Sequence, residues 1–232
     1  MTRILLVRHG KAADHWGDYD RLSETGARQS RHLAERLMRE EESIAGAFHG
    51  KMRRQRETAE IVAAAFAAAG RPFPALAELP GLDEMAPGIV DAALLAEPDL
   101  ALRERVTDWI IGKRRGTPET QAFLLGAFHR FARGELAGDF EPWTAFHARV
   151  TSTLAALRRE DRGTCFAFTS GGFIATAAGL VMEAALGPTL QLMGILENTS
   201  ITELRHSLSR DAFTLVRLND VGHVPASERT LI

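Results

Sequence analysis

The stretch Ile4-Leu5-Leu6-Val7-Arg8-His9-Gly10 decides how the rest of this 232-residue chain is interpreted. Its apolar half, Ile4 to Val7, predicts a short strand that is buried on both faces, as the strands of a parallel sheet are. The strand ends where Arg8 and His9 begin, and Gly10 predicts a turn directly after them. A cationic side chain and an imidazole are therefore expected at the carboxyl end of a buried strand, where α/β proteins place their ligands.

Helix and strand signals alternate downstream of this strand. Ser23 is a good helix N-cap, and apolar residues recur at helical spacing from Ala27 to Met38. Residues 43–48 predict a second strand, and residues 54–69 predict an alanine-rich helix. This order predicts an α/β fold: a three-layer α/β/α sandwich in which helices cover both faces of a largely parallel sheet.

The pattern changes at about residue 87. Strand signals vanish up to about residue 160, and four helical segments follow, at residues 91–96, 100–111, 119–133 and 143–159. We interpret residues 87–138 as a helical insertion beside the sheet. The alternation then resumes with a strand at 164–169, a turn at 170–172, a helix at 173–186, and strands at 201–206 and 213–218. Residues 1–232 are therefore predicted to form a single domain.

The composition limits the classes of partner. The net charge is −2, so no overall positive potential favours nucleic acid or an anionic membrane. The longest apolar stretch, residues 173–182, is shorter than the roughly 20 residues that a membrane span needs. The first apolar run is too short for a signal peptide, and Cys165 is the single cysteine, so neither an internal disulfide nor a cysteine zinc cage is expected. These features predict a cytoplasmic protein that binds neither nucleic acid nor membrane.

Charged side chains follow three of the predicted elements. Arg8-His9-Gly10 comes after the first strand, basic residues 51–56 come after the second, and Asp83-Glu84 lie in a loop before the insertion. A phosphate dianion is bound well by arginine side chains and a helix N-terminus. A neutral histidine nitrogen can attack phosphorus, and a carboxylic acid can protonate the leaving oxygen. The three segments together predict a phosphate site.

The segment Leu6-Val7-Arg8-His9-Gly10 resembles the signature of the histidine phosphatase superfamily, which includes the cofactor-dependent phosphoglycerate mutases. The segment Arg54-Gln55-Arg56-Glu57-Thr58-Ala59 is similar to the family's Arg-Ala-x-Gln-Thr-Ala block. The other similar blocks follow in the family's order: Leu22–Gln29, Leu82–Glu84, Trp143–Val150 and Asn198–Leu204. The resemblance covers essentially the whole chain apart from residues 87–138.

The resemblance implies a phosphomonoesterase of the histidine acid phosphatase type that works through a phosphohistidine. His9 would be the nucleophile, Glu84 would act as acid and then as base, and water would discharge the phosphohistidine. The phosphate ligands would be Arg8, Arg54, Ser170 and Gly171. The resemblance implies no metal and no cofactor, because arginines and a helix terminus supply the countercharge. The implied partner is a small phosphorylated substrate; mutase activity and a homodimer remain open.

Ser170 departs from the family pattern. The family has Ser-His-Gly after this strand, so Ser170 takes the place of the second pocket histidine. A charge-assisted hydrogen bond contributes about 1.5–3 kcal/mol against about 1 kcal/mol for a neutral one. This difference predicts roughly a tenfold loss of activity. Ser170→His should then raise turnover if the neighbouring glycines leave room, and lower it if Lys51 or His223 fills the place as an accessory group.

Two other functions remain open at this point. One is a non-catalytic member of the same fold that binds a phosphorylated ligand or a protein. The other is a serine hydrolase, because Ser170, Asp211 or Asp220, and His223 stand in α/β-hydrolase order. That alternative lacks the first glycine of the nucleophile elbow, where Phe168 stands, and it leaves Arg8 and His9 without a role. Nothing in the sequence indicates which phosphoester is the substrate.

Overall fold

A computed structural model describes residues 2–13, 20–40, 43–85, 88–110, 113–158 and 163–231. The described strands are β1 (Thr2–Arg8), β2 (Ile44–His49), β3 (Leu76–Glu78), β4 (Thr164–Thr169), β5 (Ile201–Ser207) and β6 (Ala212–Asp220). The described α-helices are α1 (Glu24–Glu40), α2 (Arg53–Ala68), α3 (Ile89–Leu95), α4 (Leu100–Ile110), α5 (Pro118–Ala132), α6 (Trp143–Leu157), α7 (Gly171–Val181) and α8 (Leu186–Met193).

The strands form one mixed sheet in the order β3-β2-β4-β1-β5-β6. The first four of these are parallel neighbours, whereas β5 runs antiparallel to β1 and to β6. The central strand β4 is buried at all six positions, which explains its continuous apolar character. The predicted α/β fold with a largely parallel sheet is confirmed.

Two hydrophobic cores lie on opposite faces of the sheet. On one face, Leu33 of α1 and Val62 of α2 pack with Val7 and Phe168. On the other face, the packed residues come from α3, α5, α6 and α7 and include Ile89, Phe131, Phe146 and Ile174. Strands β1, β2, β4 and β5 therefore supply side chains to both cores. This is the three-layer arrangement that the alternating pattern predicted.

The helix predicted at residues 173–186 is wrong at both ends. The observed helix α7 begins two residues earlier, at Gly171, and stops at Val181. Glu183 then takes a left-handed backbone conformation, with φ of 53°, and α8 starts at Leu186. The apolar run across residues 173–182 carried no signal of this break. No described helix has both the length and the hydropathy of a membrane span.

The edge strand β3 was also missed. It has three residues and pairs with β2, and two of the three residues are exposed. A strand of this length cannot show the alternation on which a sequence-based assignment depends. Three helices, α3 to α5, occupy the segment interpreted as an insertion, and that interpretation stays a prediction. Residues 87, 111 and 159, where predicted elements begin or end, lie outside the described ranges.

Glu203 on β5 is a fully buried carboxylate that three arginines surround. Its oxygens lie 3.1 Å from Arg3 Nε, 2.7 Å from Arg205 Nε and 2.9 Å from Arg217 Nη2. Burial raises the pKa of Glu203. The hydrogen bonds and charges of the arginines outweigh burial and lower this pKa from 4.5 to about 2.

We expect Glu203 to make the folded state sensitive to acid. A carboxylate with a lowered folded pKa contributes stability above about pH 4.5 and loses it as the pH falls towards about 2. Glu203→Gln should therefore favour unfolding by roughly 10²-fold at pH 7, and this difference should shrink by more than half at pH 3. Urea unfolding of both proteins at the two pH values measures it. A difference that is equal at pH 7 and pH 3 would contradict the assignment.

Candidate active site

The backbone of His9 is fixed from two sides. Its N–H donates to the carbonyl of Thr169 on β4 at 2.9 Å, and its own carbonyl accepts from the amide of Asn198 at 3.1 Å. The following turn packs against the start of α1. A β-carbon on Gly10 would lie 2.5 Å from the carbonyl oxygen of Gly26, so this close approach requires a glycine. The turn predicted after β1 therefore holds the imidazole at the carboxyl end of the sheet.

Hydrogen bonds define the tautomer of the His9 ring. Its Nδ1 lies 2.8 Å from the carbonyl oxygen of Gly10, and its Nε2 lies 3.1 Å from Nε of Arg54. A guanidinium group only donates, so Nε2 carries the lone pair and Nδ1 carries the proton. Burial, together with the charges of Arg54 and Arg8, holds the pKa of His9 well below its usual range. The ring is therefore a neutral imidazole whose unprotonated nitrogen, Nε2, lies beside the guanidinium of Arg54.

Arg54 lies in the first turn of α2 and is almost fully buried. Besides its bond to His9, its Nη1 donates to Asp20 Oδ1 at 2.8 Å. Asp20 also accepts from the backbone N–H of Arg53 at 2.8 Å, so one carboxylate steadies both the arginine and the helix start. Sequence reasoning missed Asp20, because it lies in the connection between β1 and α1, where no motif marked it.

Arg8 approaches the same region from the end of β1. Its guanidinium donates to the carbonyl of Leu196, and its Nε lies 3.6 Å from where a β-carbon on Gly171 would stand. Gly171 is the first residue of α7, so Arg8 lies against the N-terminal turn of that helix. The structure therefore brings the predicted residues Arg8, His9, Arg54 and Gly171 together. Their roles towards phosphate stay predictions.

The carboxylate of Glu84 also reaches the first turn of α7. Its Oε2 accepts from the backbone N–H of Gly172 at 3.1 Å, and its Oε1 accepts from that of Met85 at 2.8 Å. The neighbouring Asp83 points elsewhere and accepts from the backbone N–H of Lys51 at 2.6 Å. Burial raises the pKa of Asp83. Of the two adjacent acids, Glu84 is the one beside the helix terminus.

Arg149 of α6 holds the loop that carries Glu84. Its Nη1 donates to the carbonyls of Gly81 at 3.0 Å and Asp83 at 2.8 Å, and its Nη2 donates to the carbonyl of Glu84 at 3.2 Å. Glu141 accepts from the same guanidinium at 2.6 Å and fixes its orientation. The sequence marked Arg149 as part of a similar block without assigning it a task. In the structure, Arg149 holds the loop that carries Asp83 and Glu84, which we call the acid loop.

We expect Arg149→Lys to lower kcat by roughly tenfold or more, with a smaller change in KM. Lysine keeps the charge but loses the planar set of donors that bonds several carbonyls at once, so the loop would be held less firmly. Steady-state kinetics on a phosphomonoester measures the effect. The matched control is Arg133→Lys, since Arg133 forms an exposed pair with Glu135. Equal kinetics for the two variants would contradict the role of Arg149 in holding the acid loop.

Ser170 is fully buried, and its hydroxyl accepts a hydrogen bond from Nε2 of Gln55 at 2.8 Å. The same amide lies 3.3 Å from the carbonyl of Leu82. The candidate accessory residues lie elsewhere. Lys51 is exposed, and His223 contacts Thr199 Oγ1 at 3.3 Å, behind the His9 backbone. In the described part of the chain, Gln55 is thus the side chain that is hydrogen-bonded to Ser170.

His223 has an altered pKa for structural reasons. Burial and the charge of Arg36 lower its pKa to about 4, so it is neutral at pH 7 and supplies no positive charge. The residues of the serine-hydrolase alternative do not form a catalytic triad in the described part of the chain. Asp220 accepts from Arg36 at 2.8 Å, and Asp211 accepts from Arg158 at 2.7 Å. Over the described ranges, neither carboxylate nor the histidine is bonded to Ser170.

The chain is similar to one protein family and to several solved structures. The model of the histidine phosphatase superfamily, branch 1, matches residues 4–221. Bacillus stearothermophilus YhfR superposes with a TM-score of 0.67 at 22% identity, covering 96% of this chain and 99% of that chain. A mutant phosphoserine phosphatase from Entamoeba histolytica in complex with phosphoserine gives a TM-score of 0.62 at 16% identity, covering 97% and 100%.

A third similar structure is phosphoglycerate mutase from Bacillus anthracis. It superposes with a TM-score of 0.59 at 16% identity, covering 96% of this chain and 94% of that chain. At these identities the solved structures show a shared fold. No curated protein sequence matches the chain.

Proposed function

This chain belongs to the histidine phosphatase superfamily, and we propose that it hydrolyses a small phosphomonoester through a phosphohistidine on His9. The observation that carries the proposal is the His9 ring itself. Its Nδ1 bonds the carbonyl of Gly10, and its Nε2 faces Arg54 with a lone pair. A buried, neutral imidazole with its nucleophilic nitrogen beside a guanidinium is suited to attack a phosphate that the guanidinium holds.

The first step transfers the phosphoryl group. Nε2 of His9 forms a bond to phosphorus while the bond to the ester oxygen breaks, and the leaving oxygen takes a proton from Glu84. Nδ1 keeps its proton and its hydrogen bond to Gly10. That carbonyl stabilises the positive charge that develops on the ring when Nε2 is phosphorylated. The products of this step are the free alcohol and phospho-His9.

The second step releases phosphate. Water attacks phosphorus, Glu84 accepts a proton from the water, and the bond to Nε2 breaks. Arg8 and Arg54 hold the phosphoryl oxygens throughout, with backbone N–H groups at the start of α7. In this proposal the reaction needs no metal and no cofactor, takes place in the cytoplasm, and uses a small phosphorylated substrate.

A non-catalytic phosphate-binding member of the fold is the second candidate. The observation that favours it is Ser170, which is buried against Gln55 where the resemblance implies a histidine. The two candidates share the anion site and differ in whether the bound phosphoester is cleaved. Turnover therefore separates them.

The test is turnover of a panel of phosphomonoesters by the native protein and by His9→Ala. The panel contains p-nitrophenyl phosphate, phosphoserine and phosphoglycerates. His32→Ala is the matched control, because His32 lies on α1 and pairs with Glu228. Turnover that is lost in His9→Ala and kept in His32→Ala supports the phosphatase. Phosphate binding without turnover of any ester supports the non-catalytic candidate.

A further inference from the structure

We propose that Gln55 and Ser170 act as one buried unit that takes the place of the second pocket histidine, with Gln55 as the positioning residue. This inference rests on the proposed function only in treating the surrounding pocket as a phosphate site. Both side chains are fully buried, and they share a hydrogen bond of 2.8 Å. Gln55 lies in the first turn of α2, and Ser170 is the N-cap of α7. The loop that carries Asp83 and Glu84 lies beside them.

The sequence departs from the family pattern at both positions of this unit. Ser170 stands where the resembling block has histidine, and Gln55 stands where the block Arg-Ala-x-Gln-Thr-Ala has alanine. The first departure removes most of an imidazole, and the second adds a carboxamide. Interiors are packed closely enough that a lost ring must be compensated by a neighbour. The structure places the added group against the shortened one, so we infer that the two departures compensate each other.

Filling the space beside the short Ser170 side chain does not by itself explain a glutamine at position 55. Its amide oxygen has no hydrogen-bond partner among the described residues, although the atom is buried. An apolar side chain of similar size would fill the same volume without leaving a buried acceptor unpaired. The hydrogen bonds of the amide nitrogen must therefore be the reason for a glutamine at this position. It donates to Ser170 and lies within 3.3 Å of the carbonyl of Leu82.

These two bonds connect the parts of the candidate site. Gln55 follows Arg54 in the chain, Leu82 precedes the acids Asp83 and Glu84, and Ser170 is the N-cap of α7. Thr169 Oγ1 also donates to the carbonyl of Leu82, at 2.5 Å. One amide therefore ties the arginine-bearing helix to the acid loop and to the helix terminus. Gln55 should position all three without touching the substrate.

The test is a double-mutant cycle with Ser170→His, Gln55→Ala and the combined variant. The measurements are thermal unfolding and the affinity for inorganic phosphate, by calorimetry. We expect Ser170→His alone to lower the unfolding temperature and to weaken phosphate binding at least tenfold, because Gln55 fills the space. The combined variant should regain stability and bind phosphate at least as well as the native protein. Neighbouring residues that share a contact or a cavity show such coupling, whereas distant, independent sites give additive effects.

Gln55→Met separates packing from positioning, since methionine keeps the volume and lacks the amide. We expect phosphate affinity to fall at least threefold in Gln55→Met, while the unfolding temperature falls less than in Gln55→Ala. Gln29→Ala is the matched control, because Gln29 is also fully buried and lies on α1. It should not rescue Ser170→His.

Several results would overturn the inference: additive effects in the cycle, a Ser170→His variant that gains affinity on its own, or native affinity in Gln55→Met. Failure of the proposed function is a separate outcome. Phosphate binding and unfolding do not require hydrolysis, so rescue by Gln55→Ala can be observed in a protein that turns over no ester. If the native protein bound no phosphate, the unfolding cycle would still test the contact between the two residues.

Discussion

Replacing His9 by alanine should lower phosphatase turnover by at least about 10³-fold, because in the proposed mechanism His9 forms the covalent intermediate. Neighbouring charges can stabilise a transition state, but they cannot form the covalent bond to phosphorus that the imidazole forms. The native protein, mixed briefly with substrate and quenched, should carry a phosphoryl group that is stable in base and labile in acid. The label should map to His9 by peptide mass analysis.

His9→Ala should still bind inorganic phosphate, since Arg8, Arg54 and the start of α7 remain. Calorimetry provides that control and shows that the fold has survived. A His9→Ala protein that is active and still carries the label would overturn the assignment of the nucleophile. A native protein that turns over substrate without ever carrying the label would overturn the covalent mechanism.

The sequence was most informative where backbone position and chemistry coincide. The apolar run of β1 ends where Arg8 and His9 begin, and parallel strands have their carboxyl ends at the same edge of the sheet. That edge does bring Arg8, His9, Arg54 and Glu84 close together. Strand and helix ends place Arg8, His9 and Arg54, whereas Glu84 lies in a loop that is held by hydrogen bonds from Arg149, which the sequence did not show.

Contacts between side chains were harder to predict. Gln55 lies 115 residues from Ser170, and nothing at either position alone shows that they touch. The two departures from the family pattern were the available signal, because a residue that shrinks and a residue that grows are often neighbours in a core. Read together, they would have predicted Gln55 as the neighbour of Ser170, in preference to Lys51 or His223.

Gly172→Ala should lower kcat by roughly 10²-fold or more for an ester with a poor leaving group, by displacing Glu84. A β-carbon on Gly172 would lie 2.2 Å from Glu84 Oε1 and 2.6 Å from Met85 Cε, so the carboxylate must move. The helix itself should tolerate the change, because Gly172 has no left-handed backbone conformation and the two crowded atoms are the ends of flexible side chains. We therefore expect activity to fall while the unfolding temperature changes little.

Gly126→Ala is the matched control for Gly172→Ala. Gly126 lies inside α5, and a β-carbon added there would meet no atom of the described residues within 4 Å, so kcat should change less than about threefold. The substrate pair adds a second control. Phosphoserine releases a basic alkoxide that needs the proton of Glu84, whereas p-nitrophenyl phosphate releases a stable phenolate that does not. If Gly172→Ala lowered kcat/KM, which reports the phosphorylation step and not the later hydrolysis, equally for both substrates, the added methyl group would be disturbing the anion site and Glu84 would not be the acid.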